Sequence, residues 1–255
     1  DFHMIDTPTF YMAAVPAVIL LGLSKGGFSG MGILALPLMA LVISPIQAAA
    51  IMLPVLIAQD AVGVYAYRNS FDRSNLARLI PGACVGIALG YGLAAYVSEA
   101  AVSLAVGLIS VSFAARQWWL GRHQTASSQK APSIVGGWVW GGISGFTSMI
   151  AHAGGPPFQV YVLPQRLPPL LFAGTTSMFF AVINLVKVAP YFWLGQFTSE
   201  NLSTALVLTP LAMLSTWAGV QLVRRVPAAR FYNVIYALLC CIGTKLIWDG
   251  ITGLI

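Results

Sequence analysis

The amino-acid sequence predicts an all-α polytopic membrane protein. Its composition, the lengths of its apolar runs and two glycine-rich interruptions point to this fold class. Of the 255 residues, 58% are hydrophobic and only 8% are charged, and the mean hydropathy is +0.82. A typical soluble domain is about one-quarter charged. Because apolar stretches near the 20-residue length of a transmembrane helix fill almost the whole sequence, we expect membrane spans and no sizeable soluble domain.

In the first half of the chain, four apolar runs are long enough to span a bilayer and one is not. The short run, 31–43, would form a helix of about 20 Å, less than the roughly 30 Å hydrocarbon core. It follows the Lys25-Gly26-Gly27 break and ends before Ser44-Pro45, where the next span begins. The four long runs lie at about residues 10–29, 46–67, 74–96 and 99–120.

The second half repeats this order after a polar stretch that we interpret as a linker. Its short run, 153–163, again follows a break, here at His152, and ends at a proline-rich turn. The long runs lie at about residues 134–151, 170–193, 201–223 and 229–251. We therefore expect about eight full spans plus two half-spans, in a first membrane repeat at 1–122, a cytoplasmic linker at 123–133 and a second repeat at 134–255.

Sequence matches between the halves and the positions of basic residues predict that the second repeat is inverted. The segment Phe71-Asp-Arg-Ser-Asn75 matches Phe197-Thr-Ser-Glu-Asn201 at an offset of 126. Arginine and lysine follow the third, fifth and ninth apolar runs and mark the cytoplasmic side. Five crossings per repeat is an odd number, so the fold class is an inverted 5+5 repeat with two short or broken helices. Both termini are then predicted to be periplasmic.

The two breaks are the predicted functional centre. Backbone leaves helical geometry inside a membrane only where it is buried in protein or lines a cavity. Paired interruptions in the two halves of a transporter indicate its binding site, where short helices direct their N-termini toward an anion. Simple packing and kinking of membrane helices is the structural alternative. The candidate binding residues are Lys25, Gly26, Gly27, Ser29, Gly30, Ser148, His152, Gly154, Gly155, Gln159, Thr175, Thr176, Asn184 and Lys187.

Ionisable residues inside apolar sequence need a partner or a water-filled cavity. Lys25 and Lys187 supply positive charge, although either could instead pair with Asp60 or extend to the membrane surface. Asp60 or His152 is the predicted carrier of a coupling proton. The sequence contains no familiar metal-ligand cluster and no catalytic motif, so we expect no metal, no cofactor and no enzyme activity. The net charge of +6 comes from isolated basic residues, which argues against a nucleic-acid partner.

The motifs at the breaks resemble those of the TauE/SafE sulfite exporter family, also called the toluene sulfonate uptake permease family. Gly27-Phe-Ser-Gly-Met-Gly with Leu36-Pro-Leu is similar to the first glycine-rich motif of that family. Gly145-Phe-Thr-Ser-Met with Gly154-Gly-Pro-Pro is similar to the second. The first motif departs from the family pattern where Gly32 is followed by Ile-Leu-Ala.

This resemblance implies a secondary transporter that moves sulfite, an organosulfonate or a related sulfur-containing anion across the bacterial inner membrane. Alternating access about a midplane site is the expected mechanism, with a proton or Na⁺ as coupling ion and the lipid bilayer as surroundings. An anion channel of the same architecture is the alternative, and a membrane-embedded enzyme is a third class. The sequence leaves the substrate, the direction of transport and the oligomeric state open.

Overall fold

The chain folds as a bundle of α-helices, seen in a computed structural model that describes residues 5, 7–27, 31–94, 96–122, 131–222 and 229–254. Within these residues there are ten α-helices and no β-strand. In chain order they are α1 (Pro8–Lys25), α2 (Ala35–Met39), α3 (Pro45–Tyr67), α4 (Arg73–Ala94), α5 (Glu99–Arg122), α6 (Ile134–Ala151), α7 (Gly155–Val162), α8 (Pro169–Trp193), α9 (Ser199–Leu222) and α10 (Ala229–Leu254).

Seven of the helices in the described residues are long and apolar enough to cross a membrane, which confirms the polytopic all-α prediction. They are α1, α3, α4, α5, α6, α8 and α9. α10 has 26 residues, about 39 Å of helix, and α2 and α7 are the two short helices.

Proline and serine set several of the helix starts. Pro8, Pro45 and Pro169 occupy first turns, where a missing N–H leaves no hydrogen bond unmade. Ser44 caps α3 by accepting a hydrogen bond from the Gln47 amide at 3.2 Å. Ser133 caps α6 in the same way, accepting from the Gly136 amide at 2.9 Å.

Glycines let parallel helices approach closely in two pairs, α4 with α6 and α1 with α9. A Cβ added at Gly86 of α4 would lie 2.0 Å from the Gly142 carbonyl oxygen of α6. A Cβ at Gly26, just after α1, would lie 2.4 Å from the Gly219 carbonyl carbon of α9. Small residues at such contacts are the usual basis of helix association in membranes.

Two other pairs, α3 with α8 and α5 with α10, run antiparallel. In the first pair, Gly63 lies beside Ser177, and Gly174 lies beside Ser70. In the second pair, Gly107 contacts Gly243 and Gly250 contacts Leu104. In each pair, residues of higher number in one helix therefore contact residues of lower number in the other.

Candidate functional site

A cavity of about 80 Å³ lies where the two breaks, one after α1 and one after α6, meet α3 and α8. The first interruption contributes Lys25 and Gly32 to its wall, and the second contributes His152 and Gly155. This volume holds several water molecules or a small polyatomic ion. The remaining lining residues are Leu21, Ser24, Ile33, Leu56, Phe113, Ser148, Ala153, Pro156, Phe158, Gln159, Thr176, Ser177, Phe180 and Asn184.

Lys25 is held in this wall by an ion pair with Asp60 of α3. The second carboxylate oxygen of Asp60 accepts a hydrogen bond of 2.6 Å from the side-chain amide of Asn184 on α8. The Lys25 ammonium also lies 5.0 Å from the centre of the Phe180 ring, within cation–π range. Asp60 therefore has both oxygens occupied, and Lys25 presents its remaining N–H groups at the cavity.

Lys187 of α8 is fully buried and bonds to neutral groups. Its ammonium lies 3.0 Å from Ser148 Oγ, 3.2 Å from the Ser148 carbonyl oxygen and 2.7 Å from His152 Nδ1. His152 Nε2 lies 2.8 Å from the carbonyl oxygen of Ala49. Because a carbonyl only accepts, Nε2 carries the hydrogen, and Nδ1 of the neutral ring is free to accept from Lys187. Lys187 does not line the cavity, whereas Ser148 and His152 do.

The second interruption is shaped by His152, whose φ of 49° ends α6 in the left-handed region. Ser144 Oγ then donates to the Gly154 carbonyl oxygen at 2.7 Å and holds the turn against α6. A Cβ at Gly154 would lie 2.8 Å from the Ser144 carbonyl oxygen, so only glycine fits there without a shift. A Cβ at Gly155 would meet nothing within 4 Å and would project into open space.

The start of α7 offers fewer backbone donors than a regular helix N-terminus. Pro156 and Pro157 have no N–H, and the Ala153 amide bonds to the Thr147 carbonyl oxygen at 3.2 Å. The amides of Gly154 and Gly155 have no hydrogen-bond partner among the described residues. Two adjacent unpaired N–H groups beside the cavity remain available to an anion.

The first interruption is less helical than its counterpart. Gly26 packs against α9, and its carbonyl oxygen accepts a hydrogen bond of 2.8 Å from the Tyr67 hydroxyl. Gly27 has a φ of 132°, which favours glycine. A 3₁₀ turn at Met31–Leu34 precedes α2, which has only five residues. The predicted site residues Ser29 and Gly30 lie outside the described residues.

The structure brings half of the candidate binding residues to one cavity. Lys25, Ser148, His152, Gly155, Gln159, Thr176 and Asn184 line it. Thr175 lies elsewhere: its hydroxyl accepts from the Asp72 amide at 2.9 Å and donates to the Leu171 carbonyl oxygen at 2.7 Å. Gly26, Gly27, Gly154 and Lys187 are not among the residues that line the cavity.

Two hydroxyl side chains of the wall, Ser24 and Ser177, were missed by the sequence reasoning. Ser177 lies seven residues before Asn184, a spacing that returns to the same face of a helix. That spacing could have identified it. Ser24 directly precedes Lys25 but follows a plain apolar run, and no pattern in the sequence distinguishes it.

A second cavity, of about 90 Å³, is lined by residues that contact His152. Its wall includes Ala49, Met149, Tyr191 and Gln196. The Tyr191 ring stacks on the His152 ring at 6.0 Å between centres, and the Tyr191 hydroxyl donates to the Met149 carbonyl oxygen at 3.1 Å. His152 and Tyr191 therefore form a partition between the two cavities.

The ionised groups at this site favour an anion. Lys25, Lys187 and Asp60 give one net positive charge when both lysines are protonated, and a monoanion would neutralise it. No group of His, Cys, Asp or Glu side chains in the described part of the chain could hold a metal ion. A polytopic helical bundle with a cavity at broken helices is the construction of a membrane transporter.

The family comparison agrees with this class. The chain matches the family described as Sulfite exporter TauE/SafE over residues 14–246, which is most of its length, and it belongs to that family. It is therefore a transport protein of the membrane, and the predicted membership of this family is confirmed. Searches among curated proteins and among solved structures gave no match.

Proposed function

We propose that this protein is a secondary transporter that moves a small sulfur-containing anion, such as sulfite or an organosulfonate, by alternating access. The observation that carries the proposal is a buried lysine without a carboxylate partner, Lys187, directly behind a cavity formed by both chain interruptions. A positive charge in this position needs a negative partner. The family supplies the class of partner, a sulfur oxyanion.

The groups around the cavity divide into charge and hydrogen-bond donors. Lys25 provides the ammonium group that reaches the cavity, and the amides of Gly154 and Gly155 provide two backbone donors. Gln159 adds a side-chain amide donor. Thr176 Oγ1 donates its hydrogen to the Phe172 carbonyl oxygen at 2.8 Å, so its hydroxyl has to turn away from its own helix to donate to an anion. A tetrahedral or pyramidal oxyanion has several acceptor oxygens for such converging donors.

An inverted repeat of residues 1–122 and 134–255 accounts for the helix pairs. The equivalent helices α3 and α8 run antiparallel, as do α5 and α10, and inversion requires this of equivalent helices. The same repeat makes α1 equivalent to α6 and α9 equivalent to α4. The parallel pair α1–α9 therefore corresponds to the parallel pair α6–α4.

Each of the equivalent asparagines, Asn75 and Asn201, bonds to a glutamine of the other half: Asn75 to Gln165 at 2.9 Å and Asn201 to Gln47 at 3.3 Å. With basic loops on the cytoplasmic side, this arrangement has both termini in the periplasm of a bacterial inner-membrane protein.

Alternating access is supported by the partition between the cavities. In the proposed topology, the first cavity lies toward the cytoplasm and the second toward the periplasm, and His152 and Tyr191 separate them. A channel needs a continuous path through both cavities. A carrier needs one barrier that opens while another closes, which inverted repeats supply by rocking against each other. The enzyme alternative finds no support, because members of this family are transporters.

Ligand binding to the purified protein tests the proposed function. Sulfite, sulfate, thiosulfate, sulfoacetate and taurine are each added while thermal unfolding is monitored, because a ligand that binds the folded state raises the melting temperature. We expect at least one sulfur oxyanion to raise it, with chloride as the reference. The proposal is wrong if none of these compounds raises the melting temperature and none is taken up by proteoliposomes.

Gln159 provides a sharp variant for this assay. Its side-chain amide has no hydrogen-bond partner among the described residues, so Gln159→Leu removes no internal bond. Losing one hydrogen bond to a charged ligand weakens binding by about 10- to 100-fold. The matched control is Gln165→Leu, which breaks the amide pair with Asn75 away from the cavity. We expect the control to lower stability while the affinity for the anion is retained.

A further inference from the structure

We propose that Lys187 is the proton-coupling residue: it is neutral in the anion-free protein and takes up one proton when an anion enters the cavity. This inference rests on the proposed function and adds the identity of the coupling ion and of its carrier. The sequence pointed instead to Asp60 or His152 for this role. The hydrogen bonds of Asp60, His152 and Lys187 show which of these three side chains is suited to carry the proton.

Asp60 already has a partner for its charge and for both of its carboxylate oxygens. Lys25 neutralises its charge, and Asn184 occupies its second oxygen, so both carboxylate oxygens are bonded in the ionised form. Protonating Asp60 would leave Lys25 as a buried cation without a partner. A buried ion pair that loses one member is strongly destabilised.

Lys187 differs from Asp60 because no group of opposite charge bonds to it. Its side chain is fully buried, and its three hydrogen-bond partners are Ser148 Oγ, the Ser148 carbonyl oxygen and His152 Nδ1. The charged groups that face it from neighbouring helices are Lys25 of α1 and Asp60 of α3, whose effects oppose each other. A charged Lys187 is therefore uncompensated until an anion arrives.

The same partners suit both protonation states of Lys187. An ammonium group has three hydrogens, and three acceptors surround it. In the neutral amine, two hydrogens remain, and the Ser148 hydroxyl can reverse and donate to the nitrogen lone pair. His152 accepts at Nδ1 in either state, because its own hydrogen at Nε2 is held by the Ala49 carbonyl oxygen. Tyr191, the other titratable group beside His152, uses its hydroxyl hydrogen on Met149.

The charge of the buried cluster then stays at zero throughout the cycle. Without anion, Lys25 and Asp60 cancel and Lys187 is neutral. With a monoanion in the cavity, one proton from the aqueous phase binds Lys187 Nζ and balances the new negative charge. When the anion leaves on the other side, the proton leaves Nζ with it. One anion and one proton therefore cross together, and neither buried state carries an unpaired charge.

Calorimetric titration with methanesulfonate tests whether the protein takes up a proton when it binds an anion. The sulfonate group itself does not titrate near neutral pH, so any proton taken up binds to the protein. Uptake of one proton on binding makes the dissociation constant rise about tenfold for each pH unit around neutral pH, where free Lys187 is neutral and anion-bound Lys187 is protonated. Repeating the titration in buffers of different ionisation enthalpy counts the proton. The wild-type protein is expected to take up one proton per methanesulfonate.

Two substitutions assign the proton to its residue. Lys187→Met and Lys187→Arg are both expected to bind methanesulfonate with no pH dependence, the first weakly and the second with retained affinity because its charge is permanent. Lys245→Met is the matched control, since Lys245 is a half-exposed helical lysine that pairs with Asp249 within α10. The control is expected to keep the tenfold slope. His152→Asn is expected to keep the slope as well.

The possible results separate the two proposals. Binding with a flat pH profile in the wild-type protein overturns proton coupling and leaves the transporter proposal intact. A slope that survives Lys187→Arg but disappears in His152→Asn overturns the assignment to Lys187. Absence of binding and of uptake for every sulfur anion overturns the proposed function, and this inference falls with it.

Discussion

The Lys25–Asp60 ion pair gives a prediction about the free energy of unfolding. The side chains of Lys25 and Asp60 are only 10% and 5% exposed. Replacing one member leaves the other as a buried charge without its partner. We therefore expect Lys25→Met and Asp60→Asn each to lower the free energy of unfolding by about 3–5 kcal/mol.

The double variant Lys25→Met/Asp60→Asn removes both charges together and should lose less than the sum of the single changes. We expect a coupling energy between about 1 and 3 kcal/mol, because residues in direct contact couple on this scale. Asn184 donates to Asp60 in the wild-type protein at 2.6 Å and can still bond to an asparagine oxygen in the variant. This retained bond limits the loss in the double variant.

Chemical unfolding in mixed micelles, extrapolated linearly to zero denaturant, measures these free energies. The matched control is the cycle of Lys245→Met and Asp249→Asn in α10, whose side chains are 56% and 43% exposed. Exposed pairs of this kind couple by less than about 1 kcal/mol. Additive effects at Lys25 and Asp60, or equal coupling in the two cycles, would refute the view that the buried pair is held by mutual neutralisation.

Glycine-to-alanine changes give the remaining predictions. Gly154→Ala should lower the melting temperature, since its Cβ would lie 2.8 Å from the Ser144 carbonyl oxygen, whereas Gly155→Ala should keep the melting temperature and weaken anion binding by filling the cavity. Equal melting temperatures for these two variants would contradict the geometry of the break. In α4, Gly86→Ala forces a methyl group to 2.0 Å from the backbone of α6, while a Cβ at Gly92 meets nothing within 4 Å. We expect Gly86→Ala to cost about 1–3 kcal/mol by overpacking and Gly92→Ala to be nearly neutral, measured by unfolding in micelles.

The sequence was sufficient to predict the helices because hydropathy and helix punctuation are local properties. The predicted span at 134–151 coincides with α6, since Ser133 caps its start and His152 ends it. The predicted first span, 10–29, is displaced from α1 because Pro8 begins that helix and Gly26 follows its end. The short run 31–43 was expected to be one helix, but a 3₁₀ turn takes up its first four residues and α2 ends at Met39.

The partners of the charged residues were beyond the sequence, because they depend on how each helix is rotated against its neighbours. The sequence left open whether Lys25 pairs with Asp60, and the structure shows that it does. It also left open whether Lys187 reaches the membrane surface, and the structure buries it completely. Thr175 and Thr176 are adjacent in sequence, yet Thr176 lines the cavity and Thr175 faces Asp72.

The partition at His152 was also invisible in the sequence. Its formation requires α3, α6 and α8 to meet, and no local pattern encodes the contact between His152 and Ala49. The left-handed backbone of His152 was unexpected for the same reason, because glycine would be the default residue for that conformation.

Counterflow in proteoliposomes is the most direct test of the claim that the cavity beside Lys25 binds a sulfur-containing anion and carries it across the membrane. Vesicles are loaded with unlabelled methanesulfonate, and the entry of labelled methanesulfonate is followed. We predict a transient accumulation of label above equilibrium that saturates with concentration and needs a higher methanesulfonate concentration in Gly155→Ala. Label that only equilibrates, without saturation and with the same rate in this variant, would contradict the account.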